Sequence, residues 1–255
     1  MSAIDLNSDL GEWELGESTS DVVSTDDAAM FAIVTSANVA AGFHAGTRES
    51  MLASARLAVR HGVSLGVHPS YRDREGFGRR DREIDAATLI SEILEQVNAL
   101  TIAASAAGTQ VRYLKPHGAL YNRIVIDEEQ ADAVARAAKD FSLPVLGLAG
   151  SAIQRAADRH SVQFFREAFV DRAYLADGTL APRSMGGAVI TDPIEAGERA
   201  VRMVLDGRVQ SISGGQVRVE VDSLCVHGDT PGAVTMTSIV RKMLAEAGLE
   251  FRAFV

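Results

Sequence analysis

Six histidines punctuate this 255-residue chain, and four of them directly follow short apolar runs. His44 comes after Val34 to Phe43, His68 ends Leu65-Gly-Val, His117 ends Tyr113-Leu-Lys-Pro, and His227 ends Leu224-Cys-Val. The N-terminal run Asp5-Leu-Asn-Ser-Asp-Leu-Gly-Glu12 adds Asp5, Asn7 and Asp9 at alternate positions, so an extended chain turns all three the same way. Three polar groups on one face of a buried strand are costly unless paired or used. A lone histidine past a strand is commonly an ordinary loop residue. Four at equivalent places, joined by Asp9, read as one site. Neutral imidazole plus carboxylate suits a divalent ion such as zinc, manganese or magnesium. The same groups can do acid–base work without metal, because histidine titrates near neutrality. No HExxH or CxxC spacing is present, and the pattern does not separate the two chemistries. His61 and His160 sit at expected helix ends, where a cation suits the dipole, and are assigned to structure.

Lys115 stands at the end of an apolar run beside Pro116-His117-Gly118. A buried lysine needs a partner or a function; the plain alternative is a surface lysine reaching past the strand. Arg72, Arg74, Arg79 and Arg80 flank Gly76-Phe-Gly, and Arg172 and Arg183 flank Ala176-Asp-Gly-Thr179. Guanidinium groups on loops suit a carboxylate or phosphate, although any one of them is more commonly just solvated. No GxxxxGK[ST], GxGxxG or GxSxG motif occurs, so a nucleotide would be held some other way. Cys225, inside an apolar run, reads as core.

Strands are expected over Ala3–Asp9, Ala32–Ala40, Ser64–His68, Val111–Pro116, Pro144–Ala149, Phe164–Val170 and Leu224–Val226. They are apolar without clean alternation, as befits parallel strands buried on both faces. Thr47 caps a helix ending before Gly62, and Asp85 caps one reaching Ala107 before Gly108. Asp127 with Gln130, Ser151 with Gln154, and Asp192 with Glu195 resemble capping boxes. Pro193 and Pro231 suit first helical positions, and Gly207 and Gly248 mark ends. Seven strands interleaved with helices indicate an α/β fold, a closed parallel barrel first and an open doubly wound sheet second. One domain over residues 1–255 is expected. Three long connections, 11–30, 69–83 and 171–191, are candidate lids or binding loops.

A net charge of -9 argues against a nucleic-acid partner. The single cysteine excludes an internal disulfide and favours a reducing compartment. No apolar run approaches a membrane span, and MSAIDLNSDLGE lacks the basic and apolar parts of a signal peptide. A cytoplasmic protein with no membrane partner is expected.

The segments Asp5–Glu12, Ser36–Gly46, Gly66–Tyr71 with Gly76–Arg79, Lys115–Asn122, Glu167–Tyr174 with Asp177-Gly178, and Val226–Asp229 together resemble the LamB/YcsF family. Its members are A subunits of prokaryotic 5-oxoprolinase. The resemblance runs in order from Asp5 to the C-terminus. It implies a seven-stranded (β/α) barrel of the glycoside hydrolase/deacetylase type. It implies ATP-dependent opening of the lactam of 5-oxo-L-proline to L-glutamate, with B and C subunits as partners; self-association is left open. In related deacetylases a carboxylate near the first strand and later histidines hold a divalent metal, and Asp9, His44 and His117 match by position. On this reading those three activate metal or water. Lys115, His68 and His227 contact amide or phosphoryl oxygens, and Asn7, Glu12, Arg79, Arg172 and Asp229 bind substrate or phosphate. The alternatives are a stand-alone metal-dependent deacetylase or amidohydrolase, and a binding subunit without chemistry.

Overall fold

Short parallel strands close on themselves here, with helices outside. The computed structural model describes residues 3–12, 25–228 and 232–255. Its strands are β1 (Ala3–Leu10), β2 (Ser36–Ala40), β3 (Ser64–His68), β4 (Tyr113–Leu114), β5 (Val145–Leu148), β6 (Phe164–Phe169), β7 (Arg208–Gln210), β8 (Gln216–Arg218), β9 (Ser223–Cys225) and β10 (Glu250–Phe251). Strands β1 to β6 pair in sequence order, β9 pairs β6, and β1 pairs β9, which closes the ring. The expected seven-stranded parallel barrel is thereby borne out, and the open sheet is not. Strand β10 adds beside Ala3 and Ile4 of β1.

The helices are α1 (Thr25–Phe31), α2 (Arg48–His61), α3 (Ala86–Ala107), α4 (Gly118–Ile126), α5 (Glu128–Asp140), α6 (Ala152–His160), α7 (Pro193–Leu205) and α8 (Ala233–Glu246). In α3, Leu89, Ile93, Val97, Leu100 and Ala104 recur at three- and four-residue steps and are all buried. That stripe faces the outer surface of the barrel, and each large aliphatic contributes about 1.5–3 kcal/mol on burial. Asp85, Asp127, Ser151 and Asp192 cap their helices as expected. The reciprocal capping box, however, forms at Thr47 and Ser50. Gln130 instead turns inward to Tyr71 and Arg82, and Gln154 accepts from Gly150. Asp229 and Pro231 lie outside the described residues.

The barrel interior is polar, which explains the alternation in β1. Asp5, Asn7 and Asp9 point inward; Ile4, Leu6 and Leu10 join the outer apolar clusters. Asp5 accepts from Thr35, Ser36 and Ser223. Asn38 donates to both Asn7 (2.7 Å) and Asp9 (2.8 Å), and Tyr113 donates to Asn38 (2.7 Å). Gly66 makes room for Tyr113: a Cβ there would lie 2.3 Å from the ring. Phe254 packs edge-on against Tyr113 and tilted against Phe165, with ring centroids 4.8 and 4.7 Å apart, beside the starts of β4 and β6. The opposite, C-terminal end is where loops carry the site.

Four predicted strands are shorter than expected: β2 begins at Ser36, β4 spans Tyr113–Leu114 only, β5 loses a residue at each end and β6 stops at Phe169. The antiparallel β7–β8 hairpin was not anticipated. It props the connection 171–191, since Tyr174 bridges both Leu180 and Ser211. Among the described residues, no helix is long and apolar enough to cross a membrane.

Candidate active site

Six of the seven barrel strands end at one cavity of about 580 Å³, walled by Asp9, His68, Lys115, His117 and His227 among others. Parallel strands put all their C-terminal ends on one face, so residues far apart in sequence converge there.

Lys115 is 1% exposed and makes the charge centre of the barrel. Its Nζ lies 2.8 Å from Asp9 Oδ1, 2.9 Å from Glu167 Oε1, 3.2 Å from Cys225 Sγ and 3.4 Å from Asn7 Oδ1. Burial alone would lower the lysine pKa, but Asp9, Cys225 and Glu167 more than reverse this and hold it well above its usual value. Burial likewise opposes ionisation of Asp9, yet His68 and Lys115 hold its carboxyl well below the usual range. Cys225 is pushed up by burial, consistent with a core thiol and not a nucleophile. Glu167 forms an ion pair with Lys115 whose angles do not make a hydrogen bond, and both its oxygens are otherwise unsatisfied. Asp9, Cys225 and His227 bring donor atoms within 4.8 Å of one another. The ammonium of Lys115 occupies that space, so it suits no metal.

A second cluster is different. Glu12, His44, His68 and His117 offer donor atoms within 4.8 Å of one another. His68 Nδ1 faces the Lys115 carbonyl at 2.7 Å, and His117 Nε2 faces the Phe77 carbonyl at 2.9 Å. A carbonyl only accepts, so both nitrogens carry the hydrogen. Ser70 donates to the Tyr71 carbonyl, so its oxygen accepts from His44 Nδ1 at 2.9 Å. In the neutral rings the other nitrogens are therefore lone pairs. These point at each other and at Glu12: His68 Nε2 to His117 Nδ1 is 3.0 Å, and Glu12 Oε1 lies 3.1 Å from His44, 3.3 Å from His117 and 3.9 Å from His68. Lone pairs at that separation repel unless a proton or a metal cation sits among them. Four donors about 2.1 Å from a tetrahedral ion lie about 3.4 Å apart, so the donor set fits a divalent cation. Burial pushes His44 and His117 well below the usual histidine range, which keeps them neutral as ligands must be. The rings of His44 and His117 stack at 3.8 Å. Gly78, at φ +66°, lies against both; a Cβ there would come within 2.8 Å of His117.

His227 stands across the cavity. Its Nδ1 is 2.9 Å from Asp171, whose carboxylate also accepts from the His227 backbone N–H at 3.1 Å. Burial works against the imidazolium, but Asp171 outweighs it and raises the His227 pKa. Its ring stacks on Phe169 at 5.4 Å, leaving Nε2 for a ligand. Arg79 and Arg172 both line the cavity, with Arg79 over the Phe77 ring at 5.0 Å.

The residues expected from sequence thus divide into three groups. Asp9, Asn7 and Lys115 form the barrel-centre network. His44, His68, His117 and Glu12 form the donor cluster. His227 stands with Asp171, and Arg79 and Arg172 line the cavity. The positional triad Asp9, His44, His117 is distributed over two of these groups. His61 closes α2, and His160 pairs with Asp132 at 2.7 Å. Sequence reasoning missed Asp171 and Glu167. Asp171 follows a strand just as the four histidines do, and Glu167 is an acid within an apolar run; the same two signals would have found both.

Residues 4–255 match the model of the LamB/YcsF family. The A subunit of a 5-oxoprolinase from Streptomyces avermitilis is 48% identical, covering 98% of this chain and 99% of its own. The corresponding A subunit from Mycobacterium marinum is 47% identical with both chains fully covered. The crystal structure of a lactam utilization protein from Thermus thermophilus superposes with a TM-score of 0.90 at 42% identity, covering 98% of this chain and 99% of that one. A putative cellobiose-phosphate cleavage protein from Enterococcus faecalis V583, 13% identical, shares the fold at a TM-score of 0.56, covering 99% and 97%.

Proposed function

This chain belongs to the LamB/YcsF family, and we propose that it is the A subunit of an ATP-dependent 5-oxoprolinase that opens the lactam of 5-oxo-L-proline to L-glutamate. The observation that carries the reading is one cavity floored by the Lys115–Asp9 pair, with His68 and His117 of the donor cluster and His227, paired to Asp171, on its walls. The relatives named as 5-oxoprolinase A subunits and as a lactam utilization protein supply the substrate class.

An unstrained lactam is a poor electrophile. Phosphorylation of its amide oxygen by ATP makes the ring carbon attackable and gives ADP. Water then adds to that carbon, the ring C–N bond breaks, and the nitrogen leaves as the amine of glutamate. A second water ends in orthophosphate, so two waters are consumed overall. In this chain Lys115 would hold the developing negative oxygen, with Asp9 fixing the ammonium. His227, held by Asp171, would give a proton to the ring nitrogen. Asp9 Oδ2, which faces the donor cluster, would orient water, and Arg79 and Arg172 would take anionic groups. A divalent cation held by Glu12, His44, His68 and His117 would supply Lewis-acid polarisation of an oxygen. Its test is metal content of the purified chain: His68→Ala and His117→Ala should release the ion, and wild-type protein that never retains zinc or manganese would remove this part.

B and C partners, and a cytoplasmic setting, belong to the same reading. The assay is ATP-dependent glutamate release from 5-oxoproline by the reassembled complex. Asp9→Ala and Lys115→Met should abolish it in folded protein. If every such variant leaves the complex fully active, the chain is a binding subunit only. The donor cluster also favours a second reading, a metal-dependent amidohydrolase or deacetylase acting alone. ATP-independent hydrolysis of an acylated sugar or amide by this chain would establish that one.

A further inference from the structure

The geometry points to a carboxylate subsite built by Arg172 and Arg183, which makes the cavity selective for cyclic amides carrying an acid group on the ring. This rests on the reading above, and it assigns one end of the substrate.

Arg172 is 5% exposed. One terminal nitrogen donates to the Ala181 carbonyl at 2.6 Å, and the Arg172 carbonyl accepts from Arg199 at 2.7 Å, so the residue is pinned at both ends. Its Nε is buried without a hydrogen-bond partner. Among the described residues no carboxylate lies within ion-pair distance of Arg172 or Arg183. The carboxylates that line the cavity are already committed. Asp9 holds Lys115, and Asp177 accepts from the backbone and side chain of Thr179. The other guanidinium groups on the walls, Arg79 and Arg183, carry the same sign. Burial and the charge of Arg183 push Arg172 down to about 10, so it stays cationic at neutral pH. The acid that acts on Arg172, Asp171, is engaged by His227, and a buried cation so placed is relieved when a ligand brings negative charge. A guanidinium on the cavity wall can donate to a planar carboxylate. Arg183, exposed at the mouth, adds long-range attraction.

The rest of the cavity fits a small ring. Phe169, Val125, Leu148 and Leu180 supply apolar lining to the same cavity as Arg172, Lys115 and His227. A ring with its amide at the floor would leave a carboxylate on the neighbouring carbon facing Arg172. A neutral lactam would fill the same space and leave the guanidinium uncompensated.

The test compares 5-oxoproline with the neutral 2-pyrrolidinone in the assembled complex. For Arg172→Gln, KM for 5-oxoproline should rise about 10- to 100-fold, as expected for one charge-assisted hydrogen-bonded pair. The preference for 5-oxoproline over 2-pyrrolidinone should fall by the same factor, and Arg172→Lys should recover part of it. Arg183→Gln should raise KM by less, with a stronger dependence on salt. Equal losses on both lactams, or an unchanged KM, would overturn the subsite. Direct calorimetric titration of the full chain with 5-oxoproline separates this from the function itself. Arg172-dependent binding supports the subsite even where the complex turns over another lactam. Arg172-dependent binding of inorganic phosphate without binding of 5-oxoproline would overturn it in favour of a phosphoryl site. No 5-oxoproline turnover by the wild-type complex, with binding intact, would count against the proposed reaction alone.

Discussion

Replacing Lys115 by methionine should destabilise the barrel and the site together. Methionine keeps much of the length and removes the charge. Asp9 and Glu167 then face each other, and each has an oxygen within 2.9 Å of the missing nitrogen. The two oxygens are thus no more than about 6 Å apart, which gives about 3 kcal/mol of repulsion at an effective dielectric constant of about 20. Removing one partner of a buried ion pair typically costs about 3–5 kcal/mol, in agreement. For a chain of this size that lowers Tm by about 6–20 °C. The pH dependence follows from the depressed Asp9 pKa in the wild type. That group contributes stability above its unfolded pKa of about 3.9 and loses it as pH falls through the folded value. In the variant the remaining pair of carboxylates takes up a proton more readily, so acidification relieves the repulsion. Urea denaturation at pH 8 and pH 5 should show a wide gap between variant and wild type at pH 8 and a narrower one at pH 5. A gap under about 1 kcal/mol at pH 8, or one that widens on acidification, would refute the claim that this lysine holds two buried carboxylates apart.

Two further substitutions probe neighbouring groups. Burial raises Asp5 to about 6, against the pull of Ser223, Thr35 and Ser36. A raised folded pKa contributes stability that is fully present below about 3.9 and lost as pH rises through 6, amounting to about 3 kcal/mol. Asp5→Asn should therefore gain on the wild type between pH 4 and pH 7 in denaturation experiments, and parallel pH profiles would count against a buried, partly protonated Asp5. Asp171→Asn removes the carboxylate that raises His227. Turnover should fall about 10- to 1,000-fold with KM nearly constant, and the limb requiring the acid should move to lower pH; an unshifted profile would leave Asp171 with a purely structural part.

The barrel was legible because its strands punctuate the sequence. Runs such as Ser64–His68 are apolar on both faces and end in polar groups, and β3 has those same bounds. Caps at Thr47, Asp85, Asp127, Ser151 and Asp192 fixed where helices begin, since each side chain satisfies a free N–H of the first turn. The β7–β8 hairpin was hidden because Arg208–Gln210 and Gln216–Arg218 each bury a single side chain, too little for a periodic signal. Partnerships between side chains were hidden for another reason. The alternation of Asp5, Asn7 and Asp9 says that they share a face, and nothing local says that Lys115, 106 residues on, will meet Asp9.

That distinction alters the chemistry assigned to Asp9. By position alone it belongs with His44 and His117 around a metal. In the folded barrel its Oδ1 is taken by Lys115 and Asn38, and its Oδ2 lies 3.3 Å from His68. It therefore spans the two halves of the site, bound to the ammonium on one side and facing the imidazole cluster on the other. The carboxylate in the cluster itself is Glu12, which lies past the end of β1, where the loop can bring it over the ring nitrogens. A strand-borne aspartate is fixed by its ladder, with Asp9 held in register against Asn38. It can anchor a cation that must not move. The two carboxylates are thus held differently: Asp9 by its strand ladder and Lys115 at the barrel centre, Glu12 by the ring nitrogens beyond the strand end.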